Sequence, residues 1–201
     1  MTSSTLETVS IADAPWADVQ TVFGTRGDPS SCWCQYFKMS NPEWKTASRD
    51  TCEPLLKQQV RDLDPAPGVI AYLDGEPVGW CAVEPRVNYS RLDRMAVVKG
   101  SPEEAGDPTV WAVTCFVVRV GFRKKGIGTA LLASAIDHAR LSGARVVEGY
   151  PVDPTKRAKV SSAELYHGTV SLFAANGFSE VARPSPDRAV MQLDLTRPVS
   201  E

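Results

Sequence analysis

The pattern of apolar and polar positions predicts a chain in which strands and helices alternate. Runs of β-branched and aromatic residues indicate strands, and apolar residues three or four positions apart indicate helices. The predicted strands are residues 6–11, a hairpin at 68–86, 109–119, 144–152, and the segments FSEVAR and AVMQLDL near the end. The predicted helices are 15–24, 48–63, 127–143 and 162–177. This order predicts one mixed α/β domain over residues 1–201, with a helical and aromatic insertion at residues 25–62.

The hairpin and the strand at 109–119 carry the most specific expectations. Asp74-Gly75 lies between two β-rich runs, and this dipeptide suits the positive φ angles of a two-residue turn. The sequence TVWAVTCFVVR at 109–119 is almost continuously apolar. Because a strand in the interior of a sheet is covered on both faces, this run predicts a central strand.

The composition is that of an ordinary globular protein and argues against several classes of function. The formal net charge is −2, whereas a general nucleic-acid binder shows a basic excess. No apolar stretch approaches the roughly 18 residues needed to span a bilayer. Residues 1–15 lack the basic and apolar regions of a signal peptide. We therefore expect a cytoplasmic protein with no nucleic-acid or membrane partner.

The five cysteines predict neither a disulfide framework nor a metal site. Their number is odd and their spacing is irregular. Cys32 and Cys34 are separated by one residue rather than by the two that are typical of zinc sites. The two histidines, His138 and His167, are far from them in sequence. We expect no bound metal.

Residues 117–132, VVRVGFRKKGIGTALL, have the features of an anion site. Three cations and Gly-Ile-Gly stand between a predicted strand and a predicted helix. A helix N-terminus has unpaired N–H groups and partial positive charge, and glycines let a ligand approach the backbone. An ATP-binding Walker A loop is excluded, because Ile127-Gly128 stands where Lys-Ser/Thr is required. A dinucleotide fingerprint is disfavoured, because Leu131 stands at the third glycine position.

The segment Arg123-Lys124-Lys125-Gly126-Ile127-Gly128 resembles the acetyl-CoA signature of the Gcn5-related N-acetyltransferase (GNAT) superfamily, Arg/Gln-x-x-Gly-x-Gly/Ala. The strand before it, the helix after it and the later segment LFAANGF, which resembles the family's C-terminal signature, support this resemblance. It covers about residues 68–195, and 6–24 matches the family's first strand and helix. The resemblance implies the GNAT fold, with acetyl-CoA as co-substrate bound by residues 109–143.

The resemblance also implies residues that contact acetyl-CoA. The backbone of the strand before the loop would pair with the pantetheine arm, the amides from 124 to 129 would hold the pyrophosphate, and the cations would face the phosphates. The expected cofactor-binding residues are Phe116, Val117, Val118, Arg123, Lys124, Lys125, Gly126, Ile127, Gly128, Thr129 and Phe173.

The implied reaction is direct attack of a primary amine on the thioester. It requires a polarised carbonyl, for which a backbone N–H near Val118 is a candidate, and a proton for the departing thiolate. Many family members use a tyrosine for this proton, at the position where this chain has Phe173. Tyr166, earlier on the same predicted helix, is a substitute, and its neighbour His167 is a weaker one. Glu148 and Glu84, near the ends of two predicted strands, are the candidate bases.

The insertion at residues 25–62 is either a lid over the acceptor or a clasp that packs on the sheet. Its segment SSCWCQYFKMSNPEW is rich in aromatic residues, among which Trp33, Tyr36 and Phe37 are candidates for substrate binding. The acceptor is a small-molecule amine or a protein lysine. The alternative function is a non-catalytic sensor or scaffold that binds acyl-CoA. Whether the protein forms a homodimer is left open.

Overall fold

The computed structural model describes residues 4–156 and 160–196. They form one seven-stranded sheet with the strand order β1-β2-β3-β4-β5-β7-β6. Neighbouring strands are antiparallel except β4 and β5, which are parallel. The strands are β1 (Leu6–Ser10), β2 (Gly68–Leu73), β3 (Glu76–Pro85), β4 (Val110–Val118), β5 (Val146–Gly149), β6 (Ser179–Ser185) and β7 (Arg188–Asp194). This mixed sheet confirms the predicted fold class.

Helices pack against both faces of the sheet. They are α1 (Trp16–Phe23), α2 (Asp28–Cys32), α3 (Asn41–Lys45), α4 (Arg49–Asp62), α5 (Ile127–Leu141), α6 (Ser162–Leu165) and α7 (Val170–Ala174). Short 3-10 turns at Arg86–Asn88, Leu92–Arg94 and Val98–Gly100 lie between β3 and β4. No helix in the described ranges is both long and apolar enough to cross a membrane.

Most predicted elements are confirmed within one or two residues, and the strand at 109–119 lies in the middle of the sheet. The turn residues Asp74 and Gly75 both have positive φ, at 53° and 79°. The predicted helix at 162–177 is wrong, because the chain forms α6 and α7 with a break between them. Gly168 has φ 76° there, and Thr169 caps α7 by accepting the N–H of Leu172 at 3.3 Å. The strand at 144–152 is shorter than predicted, and α2 and α3 were not predicted.

The insertion packs on the face of the sheet opposite α5. Trp33 is fully buried, stacks on Phe23 with ring centroids 4.5 Å apart, and donates its indole N–H to the carbonyl of Ser30 at 3.0 Å. The indole N–H of Trp80 on β3 points to Cys34 Sγ at 3.1 Å. These buried contacts fix the insertion to the sheet.

A β-bulge in β4 changes which side chains face the insertion. Val113 pairs with Val83 and Cys115 pairs with Ala82, so Thr114 is the extra residue. Val113 and Phe116 both belong to the core under α5. Thr114 and Cys115 between them therefore both point to the opposite face, toward the insertion.

Candidate active site

The site begins where β4 and β5 separate. The two strands pair only over Val110–Val113 and Val146–Gly149, and β4 continues alone to Val118. We call this gap the fork. The N–H of Arg119 donates to Val78 on β3, so the backbone groups of Val118, one residue earlier, face away from β3. The backbone groups of Phe116 and Val118 therefore point into the fork.

Phe173 on α7 lies between the separated strands. It has no exposed surface, and a Cβ atom built on Gly149 of β5 would be only 2.0 Å from its Cε1 atom. Its ring meets Phe116 of β4 edge-on, with centroids 6.0 Å apart. Glycine at position 149 is thus required by this close approach, and Phe173 keeps the strands apart. We expected Phe173 to contact the cofactor. Its side chain is completely buried and does not line the cavity described next.

The fork opens into a cavity of about 220 Å³, which we call the fork pocket. Five of the residues expected from sequence line it: Phe116, Val118, Arg123, Gly128 and Tyr166. Leu165, Gly168, Thr169 and Leu172 complete the lining. The side chains of Val117 and Ile127 lie in the core instead, so these two residues can contribute only backbone groups.

The N-terminus of α5 forms the polar end of this pocket. Gly126 is the N-cap with φ 78°, a conformation that favours glycine, and no side chain caps the helix. The N–H groups of Ile127, Gly128 and Thr129 therefore have no partner within the helix. A Cβ atom at Gly128 would meet only Leu172, at 3.8 Å, so the space beside this backbone is open.

Three cations surround this helix end. Arg123, Lys124 and Lys125 are all exposed, and none forms an ion pair with any residue that the structure describes. Full positive charges and free amides at a helix N-terminus bind phosphate groups. The geometry thus fits a ligand with a diphosphate at α5 and an extended arm along β4. Within the described parts of the chain, no cluster of three or more His, Cys, Asp or Glu residues has a geometry suited to a metal.

Comparison with known proteins decides which such ligand is expected. The sequence matches the acetyltransferase (GNAT) family over residues 33–159. The chain belongs to this family. It is an N-acetyltransferase, and acetyl-CoA is its acyl donor, which fits the free amides and cations at α5.

Solved structures agree on the fold. The yncA acetyltransferase from Salmonella typhimurium, solved with its cofactor acetyl-CoA, is 17% identical, with a TM-score of 0.55 over 98% of this chain and 96% of that one. A ribosomal-protein-alanine N-acetyltransferase from Brucella melitensis is 19% identical, with a TM-score of 0.53 over 95% and 99%. A GCN5-related N-acetyltransferase from Kribbella flavida is 16% identical, with a TM-score of 0.52 over 94% and 98%. No curated protein matches the sequence.

In this acetyltransferase the segment between α6 and α7 already uses part of the fork. The N–H of Phe116 donates to the carbonyl of Tyr166 at 2.6 Å, and His167 Nδ1 lies 3.0 Å from the carbonyl of Thr114. The N–H of Phe116, which we expected to pair with a bound arm, therefore already has a partner within the chain. The carbonyl of Val118 is held only by a long contact of 3.4 Å from Arg123 Nε.

Tyr166 and His167 are both uncharged at neutral pH. Burial, and to a smaller extent the nearby Asp28, raise the pKa of Tyr166 above its usual value, and Arg123 partly opposes this shift. Burial lowers the pKa of His167 to about 4. Because a carbonyl only accepts, Nδ1 of His167 must carry the proton in its contact with Thr114. Tyr166 can thus donate a proton into the pocket, whereas His167 is a weak base.

Glu148 is enclosed by its own partners. It has no exposed surface, forms an ion pair with Arg86 at 2.9 Å, and accepts hydrogen bonds from Tyr150 at 2.6 Å and Gln192 at 2.7 Å. The hydroxyl of Ser101 donates to Glu148 Oε1, the oxygen that also accepts from Gln192. The carboxylate that the sequence suggests as a base therefore neutralises a buried arginine, and it lies outside the fork pocket.

Glu84 lies on the insertion side of β3. It is 2% exposed, forms an ion pair with Lys38, and accepts the amide N–H of Asn88 at 3.1 Å. Burial raises the pKa of Glu84, and Lys38 and then Asn88 partly oppose this effect. Its pKa is thus shifted toward the range useful for a base, although its carboxylate has no direct access to solvent.

The three aromatic residues of the insertion have different surroundings. Trp33 belongs to the core described above. Phe37 is buried and packs on His167, with ring centroids 5.6 Å apart. Tyr36 lines a second cavity of about 220 Å³, the Tyr36 pocket, where the guanidinium of Arg91 lies 4.4 Å from its ring centre.

Sequence reasoning missed Lys38 and Tyr89, which act on Glu84, and Thr114, which acts on Tyr89. Lys38 carries a signal, because it is the single charge within the aromatic segment CWCQYFKM. Thr114 carries none, since its orientation depends on the bulge in β4.

Proposed function

We propose that this acetyltransferase transfers the acetyl group of acetyl-CoA to a primary amine of a small molecule, with direct attack of the amine on the thioester carbon. The observation that carries this proposal is the fork pocket. It brings the N-terminal end of α5, the backbone of Val118 and Tyr166 to one cavity.

Tyr166 is the proposed proton donor. The new bond joins the amine nitrogen to the carbonyl carbon, and the C–S bond breaks. The departing thiolate takes the phenol proton of Tyr166, which is protonated at neutral pH and faces the pocket. The N–H of Val118, which points into the fork, is the proposed donor to the developing oxyanion.

Glu84 is the proposed base. Its raised pKa allows it to accept a proton, and it lies on the same face of the sheet as Thr114, beside the fork. His167 is less suitable because a pKa of about 4 makes its imidazole a weak base. Since Glu84 is buried, the proton must reach it through other groups.

A small acceptor is favoured over a protein lysine by the shape of the insertion side. The Tyr36 pocket is a concave site of small-molecule size, and Phe37 separates it from His167. A lysine on a protein surface remains the second class of acceptor.

The test combines binding and turnover on the purified chain. We expect acetyl-CoA to raise the melting temperature, and a panel of small amines and lysine peptides to release free thiol from it. Gly128→Glu should abolish both effects, because it places a carboxylate at the phosphate-binding end of α5. Tyr166→Phe should lower kcat at least tenfold with little change in KM, since it removes only the proton donor.

Tyr72→Phe is the matched control, because the hydroxyl of Tyr72 bonds to Asp18, and Tyr72 does not line the fork pocket. Stabilisation by acetyl-CoA without thiol release from any amine would favour the sensor function. A wild-type protein that acetyl-CoA does not stabilise would contradict the assignment of the fork pocket. Full activity of Tyr166→Phe would remove Tyr166 from the mechanism.

A further inference from the structure

The Tyr36 pocket lies on a seam between the insertion and the segment that joins β3 to β4. Its walls come from residues 36–41 on one side and 90–95 on the other. Hydrogen bonds to the backbone carbonyls of the insertion close this seam. The N–H of Arg91 donates to the carbonyl of Phe37 at 2.9 Å, and the hydroxyl of Ser90 donates to that of Lys38 at 3.2 Å. These bonds fix the two walls relative to each other.

Arg91 is held in the pocket by its neighbours and keeps part of its binding capacity. Its Nε donates to the carbonyl of Met39 and its Nη2 to that of Ser40, both at 2.9 Å. The guanidinium also lies 4.4 Å from the ring centre of Tyr36 and 5.9 Å from that of Trp44. A guanidinium has five N–H groups, so the three that remain belong to Nη1 and Nη2. These two nitrogens can donate to both oxygens of one carboxylate.

The lining of the pocket has an excess of positive charge. Arg91 and Arg94 both contribute to it, and of the described residues that line it none is acidic. Neither arginine forms an ion pair with any residue in the described parts of the chain. Glu43 and Asp93 are nearby in sequence but do not line the pocket, and Glu43 accepts the N–H of Ser40 at 2.7 Å. Two guanidinium groups in this state favour an anionic ligand.

The remaining walls favour an organic anion over an inorganic one. Met39 and Met95 line the pocket together with the ring of Tyr36, and thioether side chains adapt to apolar groups of irregular shape. The volume of about 220 Å³ is below the roughly 300–1,000 Å³ typical of sites for drug-sized ligands, so the ligand is small.

We propose that the Tyr36 pocket binds the carboxylate of a small organic molecule, with Arg91 and Arg94 as donors and the two methionines against its apolar part. The carboxylate belongs either to the acceptor or to a second ligand that is not acetylated. The binding site does not depend on the proposed function, whereas its use by the acceptor rests on it.

The position of Phe37 limits which acceptors can use this site. Its ring packs between Tyr36 and His167, with centroid distances of 5.0 and 5.6 Å. His167 lies beside the fork, so an acceptor that reaches both places must pass this ring. Its amine must therefore be several bonds away from its carboxylate.

Isothermal titration calorimetry of the purified chain without acetyl-CoA tests the site. The probes are caproate and its neutral analogue caproamide. We expect caproate to bind at least about tenfold more tightly, because the amide has no charge and only one acceptor oxygen. Arg94→Met should weaken caproate binding by about tenfold. It should not lower the melting temperature, since the side chain of Arg94 is exposed and forms no hydrogen bond with any described residue.

Arg26→Met is the matched control, because Arg26 is an exposed arginine of the insertion that does not line the pocket. Arg94 is a better target than Arg91, which also holds the insertion in place. Equal affinity for caproate and caproamide, or unchanged binding of caproate by Arg94→Met, would overturn the inference. Inorganic phosphate that binds more tightly than caproate and depends on Arg94 would also overturn it.

Turnover then identifies the source of the carboxylate. If ε-aminocaproate releases thiol from acetyl-CoA, and Arg94→Met raises its KM with kcat unchanged, the acceptor carries the carboxylate. Free glycine, in which the two groups are too close to pass Phe37, should then be inactive. If caproate binding depends on Arg94, and amines without a carboxylate release thiol while ε-aminocaproate does not, the carboxylate belongs to a second ligand. If no amine releases thiol, the proposed function fails while the caproate site stands.

Discussion

The buried ion pair between Arg86 and Glu148 gives a quantitative test of how this fold is stabilised. The two side chains are 2% and 0% exposed, and Arg86 Nη1 lies 2.9 Å from Glu148 Oε2. Glu148→Gln preserves the shape but leaves a buried guanidinium without its counter-charge. Removal of one partner from a buried pair costs about 3–5 kcal/mol in the free energy of unfolding.

The other contacts of Arg86 place the expected loss at the lower end of that range. Its Nη1 also donates to Ser101 at 2.9 Å, and its Nη2 donates to the carbonyls of Glu103 and Glu104 at 3.3 and 2.5 Å. These neutral acceptors remain after the substitution and partly solvate the guanidinium. We therefore expect Glu148→Gln to lower the free energy of unfolding by about 3 kcal/mol.

Urea unfolding of a double-mutant cycle is the assay. The cycle consists of the wild type, Arg86→Met, Glu148→Gln and the double variant. The slope of the unfolding free energy against urea concentration should be the same in all four proteins. The double variant should lose less than the sum of the single losses, because it leaves no unpaired charge, and the difference should be about 1–3 kcal/mol.

Two results would refute this reasoning about Glu148. One is a stability of Glu148→Gln within about 1 kcal/mol of the wild type. The other is a fully folded Glu148→Gln protein that has lost acetyl transfer, because that combination identifies Glu148 as a base rather than as the partner of Arg86.

The remaining predictions concern the fork. Gly149→Ala should lower stability by about 1–3 kcal/mol, because its Cβ would displace Phe173; an unchanged melting temperature would contradict this. Phe173→Tyr should destabilise the protein by burying a hydroxyl and should not increase thiol release; faster release would show that the missing hydroxyl limits turnover. Between pH 6.5 and about 4, unfolding takes up a proton at His167, so the urea-derived stability should fall as the pH falls, and His167→Gln should flatten this slope.

The elements that could be predicted from sequence are those set by local signals. The Asp74-Gly75 turn depends on the backbone preferences of two adjacent residues, and the start of α5 depends on Gly126 and the apolar positions that follow. The role of Phe173 could not be predicted, because it depends on contact with Gly149, which is distant in sequence and lies on another element.

The candidate site was predictable to a similar extent. The residues at the N-terminal end of α5 follow from one contiguous motif. The surroundings of the two glutamates do not, since Arg86 meets Glu148, and Lys38 meets Glu84, only after the sheet and the insertion have assembled. Both glutamates lie near the ends of strands, so their positions in the sequence do not distinguish their roles. Their different charge partners in the folded protein do.

The hydrogen bond between Phe116 and Tyr166 has a consequence for solubility. Beyond Val113, β4 is an apolar strand with no neighbouring strand on the fork side, and unpaired apolar edges are templates for aggregation. The segment at Tyr166–Gly168 covers this edge, and the carbonyl of Tyr166 accepts the N–H of Phe116. This segment therefore protects the apolar end of β4 from pairing with a strand of another molecule.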